Sequence, residues 1–495
     1  MDIQQPLTDN EQPMKSPIPV TAVFDIGKTN KKFFLFDQNY TIIEHHQTKL
    51  EQCMDDDGDS CENLSALENW IKKNLREVLN DESFKVQNLN FSTYGASFVH
   101  LDKKGRVATP LYNYLKPYPQ DLLNKFYKAY KGKKEFSLET ASPPMGMLNS
   151  GLQLYWLKYK KPQKFTKITH FLHFPQYLSY LITGELAAEM TSIGCHTALW
   201  NFEQDEYHSW LKQEELLKLL PEVQPVTSKI ESTWEGKKFK SGIGIHDSSA
   251  ALAPYLFALD EPFMLISTGT WSITFNPFNK QPLNYEELQR DCLCYLDVYG
   301  NQVKASRFFL GQEYSRQSKK LKAHFDISDN DEVVELDIDL IRKLFHKTSP
   351  SRKLKLEQAY NSGPFPQNEP GDWQIDTFIS YKEAYHQLML DLVAIQAESI
   401  RLAGGDESVN KLVITGGFSK NEFFIRLLAC FFPDKEIYTS SLPNASALGA
   451  ALIVNDDSRL KHDKEAANCL LKLKKHEACK AKEVGEYQWK ESVRC

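Results

Sequence analysis

The chain lacks the commonest sequence sign of nucleotide binding: no G-x-x-x-x-G-K-[ST] loop occurs in its 495 residues. Gly242-Ile243-Gly244 is no substitute, because the third glycine of a dinucleotide fingerprint is missing and no strand clearly precedes it. No run approaches the length of apolar sequence that a membrane helix needs, so no membrane partner is expected. The first 20 residues are polar and contain proline, without the apolar core of a secretory signal. Positive charge is not in excess. Lys and Arg number 59 against 65 Asp and Glu, a net charge of −6, which weighs against a nucleic-acid partner held by phosphate contacts. Disulfide spacing is missing too. The nine cysteines are scattered, and Cys292 with Cys294 form a C-x-C, not a redox C-x-x-C. Reduced thiols and a cytoplasmic location follow as expectations. The acidic run Asp55 to Asp59 has Gly58 too early for a calcium loop and reads as a solvated loop. His170 and His173 stand without a cysteine pair or a catalytic glutamate, and no G-x-S-x-G is present.

Aromatics make up 12% and apolar residues 41%, an ordinary globular balance in a chain too long for one core. Two domains are therefore expected. Val20 to Ile26, Lys32 to Phe36 and Tyr40 to His46 read as a meander of strands. Helical periodicity runs over Glu62 to Leu79, through Leu64, Leu67, Ile71, Leu75 and Leu79. Leu89 to Thr93 is a strand leading into Tyr94-Gly95-Ala96-Ser97. Ser150 to Tyr159 and Phe174 to Ile182 read as helices. The basic stretch Glu235 to Gly244 reads as a connection between domains. Beyond it come a helix from Ser248, a strand from Pro262 to Ser267 and a long helix from Tyr381 to Leu402. A strand from Lys411 to Thr415, a helix from Asn421 to Phe432 and a small-residue helix from Ala445 to Ile453 follow. Both halves open on strand, Gly/Thr turn, strand, which hints at two related α/β domains.

Three turns carry the chemistry: Asp25 to Asp37 (DIGKTNKKFFLFD), Leu265 to Phe275 (LISTGTWSITF) and Lys411 to Phe424 (KLVITGGFSKNEFF). Each joins a β-rich run to Gly, Thr, Ser or Asn, which can present N–H groups and hydroxyls to phosphate oxygens. Asp25, at a strand end, can hold a Mg²⁺-bound water. Lys28, Thr29 and Asn30 offer a cation, a hydroxyl and an amide. Thr268, Gly269 and Thr270 suit a second phosphate clamp. Gly416, Gly417 and Asn421 make a ledge for a nucleobase. Each turn in isolation is equally compatible with a plain hairpin or strand-to-helix turn. Asp247, ahead of Ser248 to Ala251, can cap a helix or, in a cleft, accept a proton from a substrate hydroxyl.

In combination and order these motifs resemble the FGGY family of carbohydrate kinases, in the actin-like ATPase superfamily, over roughly residues 20 to 455. DIGKTNKKFFLFD is similar to the first phosphate motif and STGTWS to the second. TGGFSKNEFF with SSLPNASALGAAL, Ser440 to Leu452, resembles the adenosine region. GIHDSSAAL, Gly244 to Leu252, looks like the segment with the catalytic aspartate. TYGAS and FPQYLSYLITGELAAEMTS fit the sugar-binding half. Lys28 departs from the family, standing where many members have Thr or a small residue.

The resemblance implies an α/β protein of two actin-like (ribonuclease H-like) domains with an interdomain cleft. A leader of residues 1–18 precedes a sugar-binding domain, 19–245. A nucleotide-binding domain, 246–456, and a charged tail, 457–495, follow. It implies ATP and Mg²⁺, with Asp247 as catalytic base and Asp25 reaching the metal through water. Lys28, Thr29, Asn30, Thr268, Gly269, Thr270, Gly416, Gly417 and Asn421 would bind ATP. Gly95, Ala96, His246 and Asp247 would bind the sugar. The sugar expected is a 6-deoxyketose such as L-rhamnulose or L-fuculose, with xylulose, ribulose and gluconate as alternatives. The competing classes are an actin-like ATPase and a non-catalytic sugar- or nucleotide-binding protein. A homodimer is left open.

Overall fold

The computed structural model describes residues 16–328, 334–347, 350–352, 354, 373–404, 409–455 and 464–477. Two seven-stranded mixed sheets organise them. The first runs Lys229–Trp234, Lys237–Gly242, Phe84–Thr93, Ile18–Ile26, Lys31–Phe36, Ile42–Thr48, and the short Ile245–His246 also pairs with Phe84–Thr93. The second runs Cys292–Leu296, Gln302–Phe308, Ser272–Asn276, Phe263–Thr268, Lys411–Gly416, Glu436–Ser440, Leu473–Lys475. Both repeat one pattern. An antiparallel meander of three strands has, beside its first strand, further parallel strands. The two related halves hinted at by the sequence are thus real, and the fold is the α/β, two-domain actin-like one expected.

Local chemistry accounts for these elements. Ile18–Ile26 is buried over almost its whole length, as a central strand requires. Phe24 packs on Phe33, Trp70 and Phe91 with ring centroids 4.7 to 5.6 Å apart. The Leu64–Asn80 helix covers that sheet with Leu64, Leu67, Ile71, Leu75, Val78 and Leu79, and Asn63 caps it by accepting the Ala66 N–H. In the second half the Tyr381–Leu402 helix lays Leu388, Leu392 and Val393 into the core and is capped by Ser380.

One reading is corrected. Glu235 to Gly244 is not a free connection. Lys237–Gly242 is a strand of the first sheet, and Glu235-Gly236 is its hairpin turn. Lys237, Lys238 and Lys240 face solvent while Phe239 and Ser241 are buried, so the lysines mask the alternation near the sheet edge. The tail also contributes: Lys464–Leu471 is a helix, and Leu473–Lys475 pairs with Glu436–Ser440. Of the polar region after Ser318, the Leu310–His324 and Ile338–Lys347 helices are described; 355–372 lie outside the described residues. Residues 1–15 of the expected leader lie outside them as well.

Two helices join the halves. Asp247–Ala258 leaves the first sheet and leads into the first strand of the second. Ala445–Asn455 follows the second sheet's parallel strands and packs back on the first. Asn90 Nδ2 donates to the Ala450 carbonyl (2.8 Å), and Thr21 Oγ1 donates to Asn455 Oδ1 (3.2 Å). The helices cross where Gly449 meets the Ala250 backbone. Their small residues Ala250, Ala253, Ala447, Ala450 and Ala451 share one core with Val23, Phe34 and Ile245.

Candidate active site

Parallel pairing sets the site. Asp25 lies beside Ser92 at the end of its strand, and His246 lies beside Thr93. Asp25 and Asp247 therefore emerge at the same carboxyl edge of the first sheet, on either side of the Phe84–Thr93 strand. Asp25 is buried and accepts a hydrogen bond from Ser446 Oγ (3.0 Å). Asp247 is the first residue of its helix, and His246 occupies the cap position. Among the described residues, Ser248 Oγ donates to Asp247 Oδ1 (3.2 Å) and His246 Nε2 lies 3.3 Å from it. Desolvation pushes both carboxyls up to about 6, and the charge of Asp247 adds to the rise at Asp25. Asp247 keeps about a third of its side-chain surface exposed.

The first turn is braced from below. Gly27 N–H donates to the Asn30 carbonyl (3.0 Å). Lys31 Nζ donates to the carbonyls of Gly27 (3.0 Å) and Lys28 (3.1 Å), and pairs with the buried Glu62 (2.8 Å). Glu62 also accepts from Tyr94 Oη (3.1 Å), so one carboxylate ties this turn to the Tyr94–Ala96 segment. Thr29 is exposed. Lys28 does not point outward. Its ammonium lies 5.4 and 5.0 Å from the Tyr94 and Tyr114 ring centres, and burial lowers its pKa. Lys32 Nζ donates to Asn444 Oδ1 (3.0 Å), beside the helix that carries Ser446.

The second and third turns sit together because Thr268 pairs with Gly416 in parallel register. Thr268 is buried; its hydroxyl donates to the Thr415 carbonyl and accepts the Phe418 N–H (3.0 Å). It stitches the two turns, while Gly269, Thr270, Gly416 and Gly417 are exposed. Gly416 has φ +85°, and a Cβ there would lie 1.8 Å from the Thr268 carbonyl oxygen. At Gly417 a Cβ would meet nothing within 4 Å. Asn421 is occupied as a helix cap, accepting the Phe424 N–H (3.0 Å). Gly311, near the start of the Leu310–His324 helix, abuts Gly269, where a Cβ would fall 2.1 Å from its carbonyl oxygen. At that helix start the Gln312 N–H donates to the Thr270 carbonyl (3.3 Å), which ties the helix to the second turn.

Behind Gly95 the wall is neutral. A Cβ there would collide with Cys195 Sγ (2.8 Å) and the His246 ring (3.0 Å). Burial pushes His246 down to about 4, so it is neutral. Its ring stacks on Tyr295 (6.0 Å), and its buried Nδ1 has no hydrogen-bond partner among the described residues. Such a nitrogen needs a partner from elsewhere. Ala96 adopts φ +59°, and its carbonyl accepts from Gln153 Nε2 (2.9 Å). Arg307 lies over Trp271 (5.2 Å) and pairs with Asp291 (3.1 Å). The sequence reading missed Ser446, Glu62, Lys31, Cys195 and Gly311. The GAAL run after Ser446 and the L-G-Q start of the Leu310–His324 helix were the visible signals.

The acidic run Asp55 to Asp59 is not a plain solvated loop. Asp55 is buried, and Lys116 Nζ sits among Asp55 (2.7 Å), Asp57 (3.0 Å) and Asp59, in the place a metal would take.

Comparison with known proteins bears on this arrangement. Residues 20–248 match the N-terminal domain of the FGGY family of carbohydrate kinases, and residues 260–463 match the FGGY carbohydrate kinase C-terminal domain. A rhamnulokinase of Mannheimia succiniciproducens is 26% identical over 265 residues, 51% of this chain and 52% of that protein. The match thus spans about half the length of this curated relative. A solved carbohydrate kinase from Novosphingobium aromaticivorans superposes with a TM-score of 0.72 at 22% identity, covering 89% of this chain and 92% of that one. A ligand-bound xylulose kinase from Lactobacillus acidophilus gives 0.76 at 16% identity, covering 95% and 96%.

Proposed function

The chain belongs to the FGGY family of carbohydrate kinases, and on that premise we propose that it transfers the γ-phosphoryl group of ATP to a hydroxyl of a small ketose. The observation that carries the reading is Asp247: a carboxylate at the cleft, raised toward neutral pH, beside Asp25 and close to an unsatisfied imidazole nitrogen. A base poised near the working pH both exists as the anion and accepts a proton readily. The sugar lies along Gly95, Ala96 and His246. Asp247 takes the proton of the attacking hydroxyl, and the oxygen forms its bond to the γ-phosphorus as the bond to ADP breaks. Thr29, Asn30, Gly269 and Thr270 carry the phosphate oxygens. Thr268 holds the second and third turns in register, and Asn421 fixes the helix beneath the adenosine ledge at Gly416 and Gly417. Lys28 reaches the phosphates only by leaving its two tyrosine rings.

Two raised carboxyls facing one cleft fit a hard dication, which would favour their charged forms. Asp25 would hold Mg²⁺ through water, and the ion would neutralise phosphate charge when bound. Closure of the halves about the two crossing helices would exclude water from the transfer.

A 6-deoxyketose such as L-rhamnulose or L-fuculose is the sugar best supported, by the rhamnulokinase relative. ATP consumption across deoxyketoses, xylulose, ribulose and gluconate, with a no-sugar control, tests this. A deoxyketose is expected to give the highest kcat/KM; ATPase as fast without sugar would remove the kinase reading.

The ledge makes a separate expectation. Gly417→Val weakens ATP binding and leaves sugar binding and melting temperature nearly unchanged, because its side chain enters space that is empty of protein. Unchanged ATP affinity in calorimetry would move the adenosine elsewhere.

A further inference from the structure

Cys53–Met54 and Ser60–Cys61 pair antiparallel around the Asp55–Asp59 turn, with Cys53 directly opposite Cys61. Their sulfurs lie 3.3 Å apart. Directly opposed residues of an antiparallel pair sit about 4.5 to 5.5 Å apart at Cα, within the about 4.4 to 6.8 Å that a disulfide spans. Cys53 is exposed and Cys61 is buried. The next residue, Glu62, is the carboxylate that holds Lys31 under the first turn and Tyr94 beside the proposed sugar segment. The hairpin is itself anchored by Lys116 and, through Asp56 and Asp57, by Lys161.

We propose that Cys53 and Cys61 are a reversible dithiol–disulfide site, oxidised by small disulfides of the glutathione class, whose closure loosens nucleotide binding through Glu62. The coupling to nucleotide rests on the kinase reading; the dithiol site does not. The Cys53 thiolate attacks the small disulfide, forming a mixed disulfide and releasing one thiol. Cys61 sulfur then attacks Cys53 sulfur, giving up its proton as the S–S bond to the small thiol breaks and that thiol leaves. Two electrons and two protons pass from the cysteines to the small disulfide, which departs as two thiols. Burial and the neighbouring Cys53 push the Cys61 thiol up to about 12, so the second step is the slower. Bonding draws the sulfurs together by more than an ångström, and Cys61 carries Glu62 with it. Lys31 then loses its fixed position under the Gly27 and Lys28 carbonyls.

The full chain is treated with oxidised glutathione, alkylated and mapped by peptide mass, while fluorescent ATP binding is titrated before and after. The expected result is a Cys53–Cys61 bond, reversed by dithiothreitol, with nucleotide affinity several-fold weaker in the oxidised form. In Cys53→Ser neither the bond nor the change in affinity appears. A bond between other cysteines, or a lasting glutathione adduct on Cys53 alone, overturns the site. A Cys53–Cys61 bond with unchanged nucleotide affinity overturns the coupling. Reduced protein that binds no nucleotide counts against the kinase reading alone, because the bond is read by mass.

Discussion

Asp247→Asn is expected to abolish most turnover while the protein folds and binds both substrates. The amide is nearly isosteric but cannot take the hydroxyl proton, and loss of a general base removes on the order of 10²- to 10⁴-fold in rate. Those factors correspond to about 3 to 5.5 kcal/mol of barrier. A helix-capping role predicts a near-silent change, since Asn caps as well as Asp, but His246, not Asp247, holds the cap position. Stability should respond in the opposite sense to rate. A carboxyl raised from 3.8 to about 6 binds its proton more tightly in the folded state, so its ionisation works against folding above about pH 6. That penalty is relieved as pH falls from about 6 toward 3.8. At neutral pH the amide removes one partly buried charge and the repulsion it exerts on Asp25, so melting temperature should hold or rise. For the wild-type protein the same shift places the acid limb of kcat/KM near pH 6, as an apparent value of the Asp25–Asp247 pair, with no loss of stability from these two groups there. Normal kcat in Asp247→Asn at saturating sugar and ATP would take Asp247 out of the mechanism.

The turns were legible because their chemistry is local. A β-branched run, then Asp-x-Gly or Gly-Gly, then another run announces a strand edge and a close approach of backbone, and Asp25, Gly269 and Gly416 stand where that pattern puts them. What the side chains do beyond the turn was not legible. Thr268 and Asn421 look like ligands in sequence, yet Thr268 spans two strands that are 147 residues apart from its hydroxyl to the Thr415 carbonyl. Asn421 satisfies the N–H of Phe424. Lys28 reads as a phosphate cation, but two tyrosines from a distant segment hold it. Glu62 shows no signal at all, because its two partners come from the first turn and from the strand end at Tyr94. Nor does spacing reveal that Cys53 faces Cys61, since strands of two residues carry too little periodicity to be read.

The second large effect is structural and lies at the crossing of the two connecting helices. Gly449→Val is expected to destabilise the protein severely and to depress kcat in whatever fraction folds. Helix propensity alone argues the other way: replacing a mid-helix glycine by a better helix former gains up to about 1 kcal/mol. Contact decides the sign. A Cβ at Gly449 would stand 1.8 Å from the Ala250 carbonyl oxygen and 2.6 Å from its carbon. These are backbone atoms of the opposing helix and cannot rotate away. Overpacking in a tight core costs about 1 to 3 kcal/mol and sometimes more, and here the helices must move apart as rigid bodies. Separation would strain the Asn90 bond to Ala450 and the Ser446 bond to Asp25. It would also displace the helix whose first residue is Asp247. Chemical denaturation should therefore show Gly449→Ala already less stable than wild type and Gly449→Val more so. Gly417→Ala, where a Cβ meets open space, should unfold like wild type. A Gly449→Ala protein more stable than wild type would mean that propensity wins and the helices do not cross this closely.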